Sequence, residues 1–589
     1  MKTGKILLIT GVIAMNTFAQ PPYQYTDQQL TARLPAPILD DHPDWITLYW
    51  KAWNDCVAMV QRGTAQNGFV PYYIQEVFNY PAIFQWDAIF SIAWQRYGFH
   101  LFPTLPNFDN FYNKQHADGF IARSFNTGTG ADDDGGSFNG ASMINPPLFS
   151  WGEWLHYMIT ADTARLAAVF PKLEKYYEWV KANRRWPNGT YWNTGYGSGL
   201  DNSPRGLAGV HDNASHGWID MTSQVAQNAR YMQMIAGVIN KPDRAAYYAA
   251  EFTTIKNLIN QKMWDANRKF YFDTDQPQGT GTFTGVYTII NFWPMLAAVA
   301  DPTQCASMVQ VLRDTRKFWR THLFPTLAAD NPSYDPHGNY WQGSIWAPTN
   351  YMVVKGLEEN SYDSLARIAA ENDIEAISRV YKSTNSIWEN YAPDYYERGS
   401  QSMSPYNWSC VGPIAELIEN VIGIRVNAPA STIDWHIDRT ERHGIQRLRM
   451  GKDSISLVCA QRTSLSDAPV ITVSTSGTLT LRIHAGKAVC EETIPPSTNY
   501  TFTCAATGIQ TGYSRHAAAG GTGLVTGSGR TLRLQTPGAT AEILTAKGSV
   551  VRGTDQRDPV PTAALPNGVY LVRGRTPAGA VVGRTVIVR

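Results

Sequence analysis

The chain has 589 residues, with 50 Lys and Arg against 49 Asp and Glu. This near-neutral balance excludes the basic footprint of a nucleic-acid binder or of a protein drawn to an anionic membrane. The length exceeds one ordinary compact core, so several domains, or one large domain with appendages, are expected. The 19 Trp and 30 Tyr would suit a sugar, whose C–H faces take stacked rings and whose hydroxyls take the N–H or O–H at a ring edge. The alternative reading is that these rings fill a large core.

Residues 1–19 read as a signal peptide. Lys2 and Lys5 form a charged start, residues 6–16 a short apolar stretch, and Thr17-Phe18-Ala19 a cleavage site with small residues. The apolar run falls short of the roughly 20 residues that a membrane span needs, and no later segment qualifies. A bacterial protein that is secreted, periplasmic or held at the cell surface is therefore expected. Of the six cysteines, none forms a C-x-x-C or a zinc spacing. An exported chain permits a disulfide, and Cys490–Cys504 is one pairing that the sequence leaves open. His211, Asp212 and His216 resemble metal ligands only loosely, since the two histidines do not share a helix face, so no metal site is expected.

From about residue 25 to 425 the pattern is helical. Residues 163–182 place Leu166, Phe170, Leu173, Tyr177 and Val180 at three- and four-residue steps. Helices are also read at 222–238, 241–263, 345–357, 363–382 and 411–422, with Asn240 and Pro242 marking one break. Long loops rich in Gly, Asn, Pro and aromatics, at 186–206, 273–286, 329–344 and 389–408, lie between them. Helical hairpins with such loops at one end imply a mainly α toroid with a site at one mouth. After residue 427 the pattern changes to short Val-, Ile-, Thr- and Leu-rich segments at 454–460, 469–474, 478–484 and 498–504, which read as a small β-sandwich over 428–515. Residues 516–528 read as a Gly/Ala/Ser-rich linker. Residues 529–589 read as a second small β module with strands at 569–572 and 585–588.

Two acidic residues stand out. Asp201 lies on a tight loop in 195–205, GYGSGLDNSPR, and Glu389 lies in 386–396, SIWENYAPDYY, between aromatic neighbours that can desolvate it. Alone, each could be a turn or helix-end residue. Together they supply the pair of carboxyl groups that glycoside hydrolysis uses. Residues 339–353, NYWQGSIWAPTNYMV, could offer stacking rings and amide donors, and Gln85-Trp86-Asp87 a hydroxyl acceptor. No serine sits in a G-x-S-x-G elbow, so serine-hydrolase chemistry is not supported.

Taken in order, these segments resemble glycoside hydrolase family 63 and the related mannosylglycerate hydrolases and trehalases. Residues 198–205, SGLDNSPR, resemble the family's SGLDDYPR, which carries the general acid. WENY at 388–391 resembles the segment carrying the general base. Residues 340–354 resemble YWRGPIWxxxNYLV, with Gln342 where Arg is common and Ser344 where Pro is common. QWDAIF at 85–90, GFIAR at 119–123, NPPLFSW at 145–151 and PYNWS at 405–409 resemble further family segments, although Ser124 stands where Glu is often found. No counterpart of the large N-terminal β-sandwich of many family members is read.

The resemblance implies an (α/α)6 barrel over 20–427 followed by small β-sandwich modules, with no cofactor. It implies inversion at the anomeric centre, with Asp201 protonated as acid and Glu389 ionised as base. It further implies a pocket shaped by Trp86, Asp87, Asn145, Gly199, Arg205, Tyr340, Trp341, Gln342, Gly343, Trp346, Asn350 and Trp408. The expected activity is exo-acting α-glucosidase on oligosaccharides. Hydrolysis of mannosyl- or glucosylglycerate, or of trehalose, stays open, as does a non-catalytic carbohydrate-binding surface protein. LPNGVYLV at 565–572 and the basic end resemble C-terminal sorting modules read by a bacterial secretion machinery.

Overall fold

The computed structural model describes residues 24–77, 80–133, 143–205, 216–274, 282–486 and 488–504, and the backbone of the strands beyond residue 524. The expected signal peptide, most of the expected linker, and His211 and Asp212 lie outside the described residues. The helices in chain order are α1 Asp27–Arg33, α2 Pro43–Met59, α3 Gln85–Gln95, α4 Pro106–Asn113, α5 Phe149–Thr160, α6 Thr163–Asn183, α7 Ile219–Val238, α8 Pro242–Lys262, α9 Trp293–Leu296, α10 Pro302–Leu312, α11 Ala347–Glu359, α12 Asp363–Thr384 and α13 Val411–Val421.

Helices α3, α5, α7, α9, α11 and α13 each pack against the next, and α13 returns to α3, closing an inner ring. The sequence explains which helices go inside. Every residue of α3, QWDAIFSIAWQ, is buried, as expected of a helix apolar on nearly all sides. The outer α8 buries only Tyr248, Ile255 and Ile259, a single stripe. Ala161, in the left-handed region, ends α5, and the Asp162 carboxylate then caps α6 by accepting the Arg165 N–H at 2.9 Å. These local signals make α5 and α6 an antiparallel pair. The expected helix at 345–357 starts later, at Ala347, because Pro348 suits a first helical turn. The expected helix at 411–422 forms as a π-helix. Gly412 lets it approach α12 closely, since a Cβ there would lie 2.5 Å from the Asp373 carboxylate.

The β-sandwich takes strands from both ends of the barrel. One sheet has the order Ala36–Leu39, His443–Met450, Asp453–Cys459, Val470–Thr475, Ser497–Thr503, and the other Ala488–Ile494, Leu479–Ala485, Thr432–His436, Ile424–Asn427. The sandwich is thus not built from residues after 427 alone: Ala36 pairs with Gln446 and Leu39 with His443, across roughly 400 positions of chain. A disulfide joins Cys490, in the second sheet, to Cys504, just past the last strand of the first. Cys56, Cys305, Cys410 and Cys459 are free and buried. Beyond residue 524, a three-stranded and a four-stranded sheet form. Val525–Ser528, expected within the linker, is a strand paired with Thr531–Leu534. Among the described residues no helix is long and apolar enough to cross a membrane.

Candidate active site

A cavity of about 110 Å³ opens at the end of the barrel where α3, α11 and α13 begin. Trp86 and Asp87 lie in the first turn of α3, Trp346 precedes α11, and Trp408 lies just before α13. The loops carrying Asp201, Tyr340 and Glu389 close its sides. Both expected acids, Asp201 and Glu389, line the cavity, as do Trp86, Asp87, Asn145, Gly199, Tyr340, Trp341, Trp346 and Trp408.

The aromatic wall is rigid. Trp341 and Trp346 stack with centroids 4.0 Å apart and planes 6° apart. The Trp346 indole N–H donates to the Tyr340 carbonyl at 3.0 Å, and Trp408 crosses Trp346 edge-on at 5.3 Å. Gly199 has φ +79°, and a Cβ there would press on the Trp86 indole at 3.3 Å, so glycine permits both the turn and the contact. Asn145 ties these parts together: its oxygen accepts the Trp86 N–H at 3.2 Å and its amide donates to the Gly197 carbonyl at 3.0 Å.

The two acids are held differently. Glu389 is 4 % exposed. One of its oxygens accepts the Met403 N–H at 3.2 Å, and the other faces the Tyr340 hydroxyl at 3.5 Å. The Trp408 indole and the Ser409 hydroxyl both donate to the Glu389 carbonyl at 3.2 Å and fix its backbone. Asp201 is partly exposed to the cavity and has no comparable donors to its carboxylate among the described residues. Asp87 is a third carboxyl, accepting the Tyr406 hydroxyl at 2.6 Å.

Burial raises all three carboxyls. Asp201 is pushed up to about 6, with Arg123 opposing the shift. Asp87 is pushed up to about 7, with the Tyr406 hydroxyl and Arg123 opposing. Glu389 is pushed up to about 8 by burial, with the Asp87 and Asp201 charges adding to it. The family resemblance implies a protonated Asp201 and an ionised Glu389, which would need the higher value on Asp201. The structure differs because Glu389 is the more deeply buried acid and faces two other carboxylates. A proton on Asp201 or Asp87 relieves part of the repulsion that lifts Glu389.

Four expected pocket residues lie outside the cavity lining. Arg205 is buried in an ion network: its guanidinium pairs with both oxygens of Asp220 at 2.7 Å, reaches Asp273 at 2.8 and 3.0 Å, and lies 4.1 Å over the Trp218 ring. Four of its five N–H groups are engaged in these bonds, so it braces the Asp201 loop from behind. Gln342 donates to the Asn202 carbonyl at 3.1 Å and joins two loops. Gly343 has φ +119°, and a Cβ there would lie 2.7 Å from the Asp335 carbonyl, so it serves the turn. Asn350 points into the core, donating to Asp373 at 2.9 Å. Sequence reasoning missed Arg123, Tyr406, Phe84 and Met403, all of which line the cavity. Arg123 closes the GFIAR segment and Tyr406 lies in PYNWS, so both were within reach of the motifs. Among the described residues no cluster of His, Cys, Asp or Glu is arranged to hold a metal ion.

The family model for the mannosylglycerate hydrolase MGH1-like glycoside hydrolase domain matches residues 80–409, a span that contains all three pocket carboxyls. An uncharacterized protein of Borreliella burgdorferi is 28 % identical over 434 residues, covering 71 % of this chain and 88 % of that protein. A probable mannosyl-oligosaccharide glucosidase of Schizosaccharomyces pombe is 23 % identical over 39 % of this chain and 32 % of its own length. The crystal structure of the GH63 mannosylglycerate hydrolase from Thermus thermophilus in complex with Tris and D-glycerate superposes with a TM-score of 0.51 at 17 % identity, covering 62 % of this chain and 99 % of that one. The shared fold is the (α/α)6 barrel. With the family model spanning more than half of its length, the chain belongs to the mannosylglycerate hydrolase MGH1-like glycoside hydrolases of family 63.

Proposed function

We propose that this glycoside hydrolase is an exported, inverting, exo-acting α-glucosidase of oligosaccharides, with Asp201 as general acid and Glu389 as general base. The observation that carries the assignment is the unequal bonding of the two acids in one cavity. Glu389 accepts the Met403 N–H and faces the Tyr340 hydroxyl, and donors of this kind favour a charged carboxylate. Asp201 has no such donors among the described residues and opens to the cavity, where a departing oxygen would sit. Burial raises it to about 6 and Glu389 further, to about 8, so the assignment rests on the bonding and not on the order of these values. The acting form is the one with the proton on Asp201. In this reading Glu389 draws a proton from water as that water attacks the anomeric carbon, and Asp201 protonates the leaving oxygen on the opposite face.

The cavity, about 110 Å³, is small beside the roughly 300–1,000 Å³ of most ligand clefts. That size favours one terminal sugar ring over an internal stretch of polymer. The Trp341–Trp346 stack would take the ring's apolar face, and Asp87 and Arg123 its hydroxyls. A second reading, hydrolysis of mannosyl- or glucosylglycerate, is favoured by Arg123, a cation in the cavity lining that could meet a carboxylate. Assay of the purified protein on aryl α-glucosides, aryl α-mannosides, α-linked disaccharides and mannosylglycerate tests both readings. Preference for α-glucosides supports the first, and preference for mannosylglycerate supports the second. Turnover of none of them sinks both.

Export is part of the proposal and rests on the charged-then-apolar residues 1–19. The Cys490–Cys504 disulfide supports it, because such bonds persist in oxidising compartments. Mass analysis of protein from the native host should find Gln20 as the first residue, and retention of Met1 would refute this. The module after residue 528 is proposed as an address read by a secretion machinery. Its removal should leave the turnover of folded protein unchanged.

A further inference from the structure

A second cavity, of about 400 Å³, is lined by residues other than those of the acidic pocket, where the chain after α3 meets α1 and the β-hairpin Met450–Asp453. Arg33, His100, Arg447, Arg449, Lys452 and Ser454 line it, and no Asp or Glu does. The neighbouring Asp453 is engaged elsewhere, accepting the Ser476 hydroxyl at 2.9 Å. Four cationic side chains around one concavity repel each other across low-dielectric walls, and no acid in the lining offsets them.

The backbone is shaped to produce this cluster. The pairing of His443–Met450 with Asp453–Cys459 slips between Ile445 and Leu448. At that bulge Arg447 sits in the left-handed region, φ 58°, a conformation that costs an arginine energy and that bulges use to re-aim a side chain. The re-aimed guanidinium spans to the N-terminal segment, donating to the Leu34 carbonyl at 3.2 Å and the Thr31 carbonyl at 2.6 Å. These are neutral acceptors, so the charge remains uncompensated.

Two buried nitrogens in the wall have no partner among the described residues: Nε of Arg449 and Nδ1 of His100. The other ring nitrogen of His100 meets the Arg33 carbonyl at 3.0 Å. A carbonyl only accepts, so that nitrogen carries the hydrogen and Nδ1 is left with its lone pair until the ring is protonated. Burial, together with the Arg449 and Arg33 charges, lowers the His100 pKa. An acceptor carrying negative charge would satisfy the Arg449 N–H, offset the cations and favour the second proton on His100. Buried donors without partners ordinarily indicate a missing acceptor.

We propose that this cavity is a binding site for a phosphate or sulfate group, held by Arg33, Arg449 and Lys452 at the seam between barrel and β-sandwich. A tetrahedral dianion matches the chemistry: guanidinium forks donate in pairs to its oxygens, and Ser454 can add a hydroxyl. The group could be a free inorganic anion or the monoester end of a larger molecule. The site is separate from the acidic pocket and does not depend on the proposed glycosidase reading.

Isothermal titration of the full chain with sodium phosphate, sodium sulfate and methyl phosphate, at ionic strength matched with sodium chloride, tests this. Saturable binding at one site per chain is expected. It should weaken at least tenfold in Arg449→Gln and in Lys452→Gln, with circular dichroism and pocket turnover unchanged. Binding of methyl phosphate as well as phosphate would identify an ester end, and binding of phosphate or sulfate alone a free dianion. Lack of saturation, or equal affinity in wild type and both variants, overturns the site. Lys452 is exposed, so its variant keeps the test valid if Arg449→Gln fails to fold.

Discussion

Asn202, the residue after Asp201, holds the backbone of Trp341: its amide oxygen accepts the Trp341 N–H at 2.7 Å, and its amide nitrogen donates to the Asn339 carbonyl at 3.0 Å. The loop bearing one acid is thereby fastened to the loop bearing Tyr340, whose hydroxyl faces the other acid. Tyr340 itself is held at φ 59°, a conformation that the surrounding bonds must enforce. The amide does both at once, accepting at its oxygen and donating at its nitrogen. Asn202→Asp would turn a donor toward the Asn339 carbonyl into a repelling oxygen and would place a charge beside Asp201. Turnover should fall by about 10- to 100-fold, in line with misplacement of a catalytic group. The extra negative charge should also move the acid limb of the pH profile upward. Unchanged kinetics in Asn202→Asp would show that the two loops are positioned without this link.

The proposed acid and base make the pH profile informative. Activity needs one proton between Asp201 and Glu389, on Asp201. Because Glu389 has the higher value, that proton rests mainly on Glu389 and the acting form is the minor one. Below about 6 both are protonated and no base remains, and above about 8 both are ionised and no acid remains. A bell-shaped kcat/KM profile with its maximum near neutrality is expected, its limbs belonging to the coupled groups rather than to single residues. Asp87 raises Glu389, so Asp87→Asn should bring the alkaline limb to lower pH whatever it does to KM. Asp201→Asn or Glu389→Gln should each cost about 10²- to 10⁴-fold in kcat, the range for losing a general acid or base. Near-normal turnover in Asp201→Asn would remove it from the mechanism.

The stereochemistry of hydrolysis tests the base separately. A water between Glu389 and the anomeric carbon attacks from the face opposite the leaving group, so an α-glycoside should release the β-sugar first. A retaining enzyme brings its carboxylates to about 5–5.5 Å and releases the α-sugar. Proton NMR within the first minutes, before mutarotation, reads the difference. Initial α-sugar would make Glu389 a nucleophile.

Arg205 should matter for folding more than for binding. Replacing it with Met leaves Asp220 and Asp273 buried, 1 % and 2 % exposed, and without their cation. Breaking a buried pair in this way costs about 3–5 kcal/mol. Thermal unfolding should show a large loss of stability, and Arg205→Lys should recover only part of it because it cannot form the bidentate contact with Asp220. If Arg205→Met raises KM while stability is unchanged, Arg205 contacts the substrate after all.

Much of this was legible in the chain itself. Three- and four-residue apolar spacing located α6, α7, α8 and α12 to within a few residues, because helix periodicity is a local property. Asp201 and Glu389 could be singled out because each lies in a short, distinctive run of neighbours, and both line one cavity in the structure. Other features depended on contacts between residues far apart in sequence. Ala36–Leu39 belongs to the sandwich only because the chain returns beside it at His443–Met450. Arg205 and Gln342 resemble pocket residues in their motifs, yet Asp220, Asp273 and Asn202 occupy their polar groups. Glu389 is the more strongly raised acid because burial and two facing carboxylates act on it at once. Residue type and spacing therefore determined which helices form and which acids to consider. Burial, partner and charge environment, which are properties of packing, decided what each of those side chains does.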